Sequence, residues 1–340
     1  MWKFLSGLVE KRGIKVLTST PAKELIKSEN GEIVGVAAER EGKRIFIKAK
    51  KAVILTCGGF ENNAAMKKEH LAIKEPVGFL GNPGNTGDGL KMVQKIGGDL
   101  WHLGSLSCII GFQAPGYEAA FFPVFLDAGF IFTDKHGKRF TNELKIEVHD
   151  YGRYTSYFDV ERMEFSRVPL WGIFDEQTRR KGGINRSTAG YNKDLYKWSA
   201  DNSEEVKKGW ILRGKTAAEL ARHMGVEVPT LEDTITRYNE YCKTSKDADF
   251  GRAKAGLRAL APPFYAIQLR PALVNTQGGP RRDKESRVLD PDGKPIPRLY
   301  AAGELGSIWG YLYQGGGNVS EAIIFGCIAA RNAVRETPLL

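Results

Sequence analysis

The chain has 340 residues, 42% hydrophobic and 26% charged, a balance that excludes a disordered chain and leaves room for two domains with their own cores. Its longest apolar run, residues 322–330, is about half of what a transmembrane helix needs, and Met1-Trp-Lys-Phe-Leu lacks the apolar core and small-residue cleavage site of a signal peptide, so neither is expected. The net charge of +10 comes from Lys and Arg scattered among Glu and Asp; this reads either as a solvated surface or as a field for anions, and without a helix-turn-helix, zinc spacing or aromatic stacking motif it does not point to nucleic acid.

Apolar residues at helical spacing predict a helix over residues 2–12, stopped by Gly13. Short strands follow at 15–18 and 22–28. Asn30-Gly31 is a two-residue turn signal, and residues 32–39 with 44–48 read as a hairpin turning at Glu41-Gly42. Residues 51–56 form a buried-type strand ending in Cys57-Gly58-Gly59-Phe60, ahead of a helix over 63–71. Gly81-Asn-Pro-Gly-Asn-Thr-Gly-Asp-Gly89 feeds a helix over 88–96. From Leu106 to Pro263 the chain is aromatic-rich and irregular, with helices over 216–225 and 230–243; it reads as a domain inserted into the first. Pro262-Pro263 marks the return, followed by a strand over 265–270, a turn at 290–293 and a strand over 299–302. No internal repeat is visible. Cys57, Cys108, Cys242 and Cys327 form no CxxC pair, and no two of the five histidines have metal-ligand spacing. No metal is assigned, and a reducing, cytoplasmic setting is the expectation.

The C-terminal segment carries the most chemistry: Leu299-Tyr-Ala-Ala-Gly-Glu304, then Tyr313-Gln-Gly-Gly-Gly-Asn318, then an apolar stretch to Ala333. It reads as a strand ending in Gly303-Glu304, a glycine loop and a helix opening at Asn318. Glycines let a backbone approach a flat ligand closely, and a helix start offers unpaired N–H groups and partial positive charge. A strand end, a carboxylate and a helix N-terminus together suit a cofactor bearing hydroxyls and a ring that becomes anionic, such as a reduced flavin.

Five pieces, in order, resemble the flavoprotein family of fumarate reductases, succinate dehydrogenases and 3-ketosteroid dehydrogenases. They are Val53-Ile-Leu-Thr-Cys-Gly-Gly-Phe60, Gly84-Asn-Thr-Gly-Asp-Gly89, Gly137-Lys-Arg-Phe-Thr-Asn-Glu143, Asn275-Thr-Gln-Gly-Gly279, and Pro295-Ile-Pro-Arg-Leu-Tyr-Ala-Ala-Gly-Glu304 through Gly317-Asn318. The resemblance implies FAD, an α/β fold with an α+β cap, and hydride transfer between flavin N5 and a substrate CH–CH bond. The expected layout is an incomplete Rossmann-like FAD-binding domain in two segments, residues 1–105 and 263–340, with an inserted capping domain over 106–262. The family opens on a strand, a GxGxxG loop and a helix that hold the FAD pyrophosphate, and no such motif stands ahead of residue 15. The expectation is a chain that starts inside the family's FAD domain, as a truncated product, a fragment, or half of a split enzyme whose partner chain supplies the loop. A small-molecule substrate and an electron donor or acceptor outside the chain are also implied.

On this resemblance Gly303 and Glu304 meet the flavin ribityl hydroxyls, Glu304 being otherwise a surface carboxylate in a turn. Asn318, Val319 and Ser320 face the pyrimidine end of the ring, with Asn318 also a plain helix N-cap. Cys57, Gly58, Gly59 and Phe60 end a strand beside the cofactor or make an ordinary tight turn. Thr86, Gly87, Asp88 and Gly89 lie beside the flavin, and Ala22 offers its backbone to the adenine. Glu143 matches a relay glutamate, and Arg179 resembles the context of an acid arginine, an ordinary surface arginine being the equal reading. Tyr313 followed by x-Gly-x-Gly resembles the ketosteroid loop in which a tyrosine and a glycine N–H, here Gly317, polarise a carbonyl; packing beside Trp309 is the alternative. Asn275, Gln277, Gly278, Arg281 and Gln314 are substrate-side candidates. Asn275 and Gln314 stand where the dicarboxylate enzymes carry His and Arg, and a capping-domain His falls near Ile109, so fumarate itself is not the expected substrate. The runner-up is a non-catalytic subunit that completes a partner's FAD site.

Overall fold

A computed structural model describes residues 2–75, 77–185, 191–311, 313 and 315–339. The N-terminal third runs α1 (Trp2–Lys11), β1 (Ala22–Lys27), β2 (Ile33–Arg40), β3 (Lys43–Lys48), β4 (Val53–Leu55), α2 (Ala64–His70), β5 (Gly78–Phe79), α3 (Asp88–Lys95) and β6 (Leu100–Trp101). The middle holds β7 (Leu106–Gly111), β8 (Phe130–Thr133), α4 (Tyr151–Thr155), β9 (Leu170–Asp175), α5 (Glu176–Lys181), α6 (Ser203–Lys207), β10 (Ile211–Gly214), α7 (Ala217–Met224) and α8 (Val228–Thr244). The chain closes with β11 (Phe264–Thr276), β12 (Gly279–Pro280), β13 (Arg287–Leu289), β14 (Pro295–Ala301) and α9 (Gly317–Arg335).

Local chemistry sets these boundaries. Asn63 caps α2 by accepting the Met66 N–H, and Thr216 caps α7 by accepting the Glu219 N–H at 3.1 Å. Gly225, with φ +70°, ends α7 in the left-handed conformation. The strand expected at 15–18 does not form; a turn at Thr18-Ser19 takes its place, with Ser19 at φ +49°. The strand expected at 265–270 is longer, because it has partners along its whole length. Residues Phe264 to Leu269 of β11 lie between β9 and β10, and Arg270 to Thr276 pair antiparallel with β7, with β5 parallel on the far side.

β11 therefore joins two cores. One draws Leu25, Leu55, Phe60 and Val93 from the first third of the chain and Leu273, Leu299 and Leu305 from the last. The middle block builds its own, aromatic around Phe112, Phe121, Phe174 and Tyr265, and aliphatic where α7 and α8 cover β9 through Leu220, Leu231 and Ile235. The resulting α/β architecture places β4 and β14 side by side and parallel, Val53 opposite Leu299 and Leu55 opposite Ala301. Both strands thus deliver their C-terminal ends to one edge, where open α/β sheets collect ligands. Among the described residues no helix is long and apolar enough to cross a membrane.

Candidate functional site

At that edge lies a cleft of about 520 Å³, lined among others by Cys57, Gly58, Asn85, Gly303, Glu304 and Ala322. Its two strand ends depend on glycine. Gly58 and Gly303 have φ of +72° and +78°, a region that side-chain-bearing residues avoid. A Cβ on Gly58 would strike the Asn85 side chain, and one on Gly59 would strike Thr276 and Glu304. The Gly87 N–H donates to the Gly59 carbonyl at 3.0 Å, and Phe60 N–H donates to Thr276 Oγ1 at 3.0 Å. These bonds tie the strand end to the start of α3 and to β11. Thr86 Oγ1 donates to Asp88 Oδ2 at 2.8 Å in the first turn of α3, while Gly89 lies against Cys57 and Leu305, where a Cβ would collide with both.

Glu304 is held in place. The Thr276 N–H donates to its Oε1 at 3.0 Å and the Asn85 amide to its Oε2 at 3.3 Å. Burial and the neighbouring Glu61 carboxylate push the Glu304 carboxyl well above the usual carboxylate range. Glu61, Asn85 and Thr276 were assigned no role from the sequence, although Asn85 and Thr276 stand inside two of the pieces that carry the resemblance and Glu61 directly follows a third.

α9 reaches the same cleft through Ala322, which lies beside Gly303. Gly316, at φ +81°, precedes its first turn, which contains Gly317, Asn318, Val319 and Ser320. A buried ion pair fixes this helix to the strand-end loop. Arg282 pairs with Glu321, and also donates to the carbonyls of Gly306 at 2.7 Å, Ala301 at 3.2 Å and Gly303 at 3.3 Å. Ser307 Oγ donates to the second Glu321 oxygen at 2.6 Å. Gly317 lies against the Trp309 indole, so a Cβ there would collide. Tyr313 stands edge-on to Trp309, ring centres 6.2 Å apart, and to His149 at 5.0 Å. The Nδ1 of His149 is paired with Glu147 Oε1 at 2.9 Å. A second cleft of about 400 Å³ opens nearby, between Tyr311, Arg153, Ser105 and Ile73.

The substrate-side candidates divide. Asn275 and Gln277 are buried at the end of β11, and Gly278 lies against Leu103 and Phe60, where a Cβ would clash. Arg281 joins neither cleft. Its N–H bonds to the Asp99 carbonyl and its guanidinium pairs with the Asp99 carboxylate at 3.3 Å, which turns the side chain outward. Gln314 lies outside the described residues, and Ala22 opens β1, paired with Ala38.

Glu143 and Arg179 each have other partners. Arg179 is bound bidentately to Glu176, at 2.8 Å on both bonds, and at 3.2 Å to Asp201, because α5 places Glu176 and Arg179 one turn apart. Glu143 instead receives Arg139 at 2.8 and 2.9 Å and the fully buried Arg252 at 3.1 Å. Arg139 also reaches Asp247 at 2.8 Å. This knot sits inside the middle block and holds it together.

Six buried polar atoms on the segments around the strand ends and the α9 mouth have no hydrogen-bond partner: Glu61 Oε2, Asn275 Oδ1, Gln277 Oε1 and Nε2, Trp309 Nε1 and Asn318 Oδ1. Buried polar groups normally find partners, since each one left unpaired costs on the order of 1–3 kcal/mol. These six are half of the twelve such atoms among the described residues; together with glycines that open the backbone and a carboxylate at a strand end, they fit a cofactor rich in hydroxyls and ring nitrogens and carbonyls.

Comparison with known proteins agrees with this geometry. The NADH:acrylate oxidoreductase of Vibrio harveyi is 29% identical over 337 residues, covering 97% of this chain and 31% of that protein. A 3-ketosteroid delta1-dehydrogenase from Sterolibacterium denitrificans superposes with a TM-score of 0.82 at 25% identity, over 97% of this chain and 61% of that one. A flavocytochrome c3 fumarate reductase gives 0.71 at 25% identity, over 98% and 55%. The chain spans between 31% and 60% of the length of the curated relatives it matches. Residues 3–320 match the FAD binding domain family, and the expected kinship with fumarate reductases and ketosteroid dehydrogenases holds: the chain belongs to this family, whose cofactor is FAD.

Proposed function

We propose that this chain carries the flavin-holding strand ends and the substrate cap of an FAD-dependent oxidoreductase. It would move a hydride across a CH–CH bond beside a carbonyl or carboxylate. The observation that carries this reading is the set of unpartnered buried polar atoms gathered at the strand ends and the mouth of α9. The names of similar proteins support it, since they include an acrylate oxidoreductase and a 4-oxocyclohex-2-ene-1-carboxylate 5-dehydrogenase. The segments 1–105 and 263–340 would form the cofactor side and 106–262 the cap.

In this reading Glu304 accepts the ribityl hydroxyls, Gly58, Gly59 and Gly303 let the backbone lie close to the ring system, and the first turn of α9 faces its anionic end. Bound FAD supplies the site that takes or gives the hydride. Tyr313 and the Gly317 N–H hold the substrate carbonyl oxygen, so that charge arriving there as the β-carbon gains hydride is stabilised. His149, steadied by Glu147 and edge-on to Tyr313, passes the proton that completes reduction at the α-carbon. A substrate with two carboxylates is disfavoured, because Asn275 offers no positive charge.

The second reading is a subunit that completes a partner's flavin site, and one observation favours a partner in either case. Along α9, Val319, Ile323, Ile324 and Val334 are exposed, β4 is the last strand of its sheet with Ile54 exposed, and α1 buries no residue at all. Such surface suits a strand–glycine loop–helix segment bearing the pyrophosphate site. The four free thiols fit a reducing compartment. The test is co-expression with that segment, followed by visible flavin absorbance and turnover with a panel of enoates and enones. Tyr313→Phe should lower kcat about 10²–10³-fold with FAD still bound. Full activity in that variant overturns the carbonyl-holding role, and a colourless assembly overturns the enzyme reading.

A further inference from the structure

Glu61 has no role in the sequence reading, yet it is 1% exposed and touches the residue on which the cleft turns. One Asn85 amide nitrogen donates both to Glu61 Oε1 and to Glu304 Oε2. Glu61 Oε2 is buried and receives no donor. It converges with Glu304 Oε1 and Thr276 Oγ1 on the one place that a Cβ of Gly59 would occupy. Thr276 and Asn85 are neutral. The charged group facing the pair is Lys67 of α2, whose ammonium is already bonded to the Val77 carbonyl at 2.6 Å. Two carboxylates in contact, without a cation between them, cannot both stay ionised.

We infer that Glu61 and Glu304 share a single proton, so that the pair carries one negative charge, and that Glu61 is thereby a positioning residue that fixes Glu304 as an acceptor facing the cleft. The orphaned Glu61 oxygen then has its partner: the shared hydrogen lies between the two carboxyl groups, and Asn85 spans them. The positioning half of the inference rests on the flavin reading. The proton-sharing half does not, because it concerns the chain alone.

Both carboxyls titrate above their ordinary range, with desolvation the first cause for each. The folded chain therefore binds more protons than the unfolded chain above the ordinary carboxylate pKa. The stability lent by the shared proton is complete below that value and is lost as pH rises through the raised one. Glu61→Gln replaces the proton with an amide that donates to Glu304 at every pH.

The experiment follows thermal unfolding of the flavin-free full chain, wild type against Glu61→Gln, from pH 5 to pH 9. The variant should gain on the wild type as pH rises, by about 2 °C or more across the range. Glu304→Gln should give the same divergence, which keeps the test alive if one variant folds poorly. Infrared spectra in D2O at neutral pH should carry a neutral-carboxyl band that both variants lose. A pH-independent difference in unfolding, or no such band, overturns the shared proton. FAD titration of the partner-completed assembly tests the second half: Glu61→Gln should bind as wild type does, and Glu61→Ala at least tenfold more weakly. Equal binding by both variants overturns the positioning role. If unfolding diverges as expected while no form takes up FAD, the shared proton stands and the flavin reading falls.

Discussion

The molecule buries carboxylates in two places and treats them in opposite ways. In the middle block, both oxygens of Glu143 are met, by Arg139, by Arg252 and by the Phe132 N–H at 3.1 Å. At the strand ends, Glu61 and Glu304 lie together with no arginine between them, surrounded by amides and backbone N–H groups. In the middle block both Glu143 oxygens are met by cations, although Arg139 Nη1 and Arg252 Nε are themselves without a partner among the described residues. A carboxylate left short of donors has capacity to spare for something that arrives later. Buried charge alone does not mark a functional site; what sets the strand ends apart is a pair of carboxyl groups with a buried acceptor oxygen and no arginine beside it among the described residues.

Removing one partner from each region sharpens this contrast. Arg252→Met leaves the Glu143 charge short of a partner in the core of the middle block and should cost on the order of 3–5 kcal/mol in denaturant unfolding. A loss below about 1 kcal/mol would mean that Arg139 suffices. Glu304→Ala, by contrast, should leave the flavin-free chain as stable as the wild type or more so at pH 8, since it relieves a crowded pair. The same change should weaken FAD binding by the completed assembly ten- to a hundredfold, about 1.5–3 kcal/mol for an acceptor in a singly charged pair. A variant that unfolds without binding loss would reverse the assignment of the two regions.

The smallest effect separates them by pH. Hydrogen bonds from Arg179, with further ones from Tyr265 and Arg180, hold the Glu176 carboxyl down at about 2, against a desolvation effect that works the other way. A depressed carboxyl lends stability above its unfolded pKa and loses it as pH falls toward the folded value. The Glu176 contribution should therefore fade between about pH 4.5 and 2, whereas that of the Glu61–Glu304 pair fades on the alkaline side. Acid unfolding of Glu176→Gln should lack the wild type's loss in that window; identical acid profiles would remove Glu176 from the account.

The sequence disclosed those parts that depend on neighbours along the chain. The strand ending at Gly303-Glu304, the glycine-led start of α9 and the hairpin of β2 and β3 all follow from local periodicity and turn chemistry. The cofactor itself was legible because glycine, carboxylate and helix start lie within one short stretch. What could not be read was pairing across distance. Arg252 reaches Glu143 over 109 positions and Asn85 reaches Glu304 over 219; nothing local distinguishes Arg252 from a solvated arginine, and the motif that contains Asn85 does not name its partner. The pairing of Arg179 was hidden for the same reason: its one-turn spacing to Glu176 was visible in the sequence, but which of its two readings applies was not, and its ion pairs with Glu176 and Asp201 are a matter of packing. The length of β11 was missed because its second half is a strand only by virtue of β7 and β5.

β4 presents just three residues and ends its sheet, with Ile54 open to water. Such a row of free amides and carbonyls accepts any extended peptide of suitable register. At high concentration, copies of this polypeptide could therefore stick to one another along that edge, and its solubility would depend on how the edge is covered as much as on any feature of its interior.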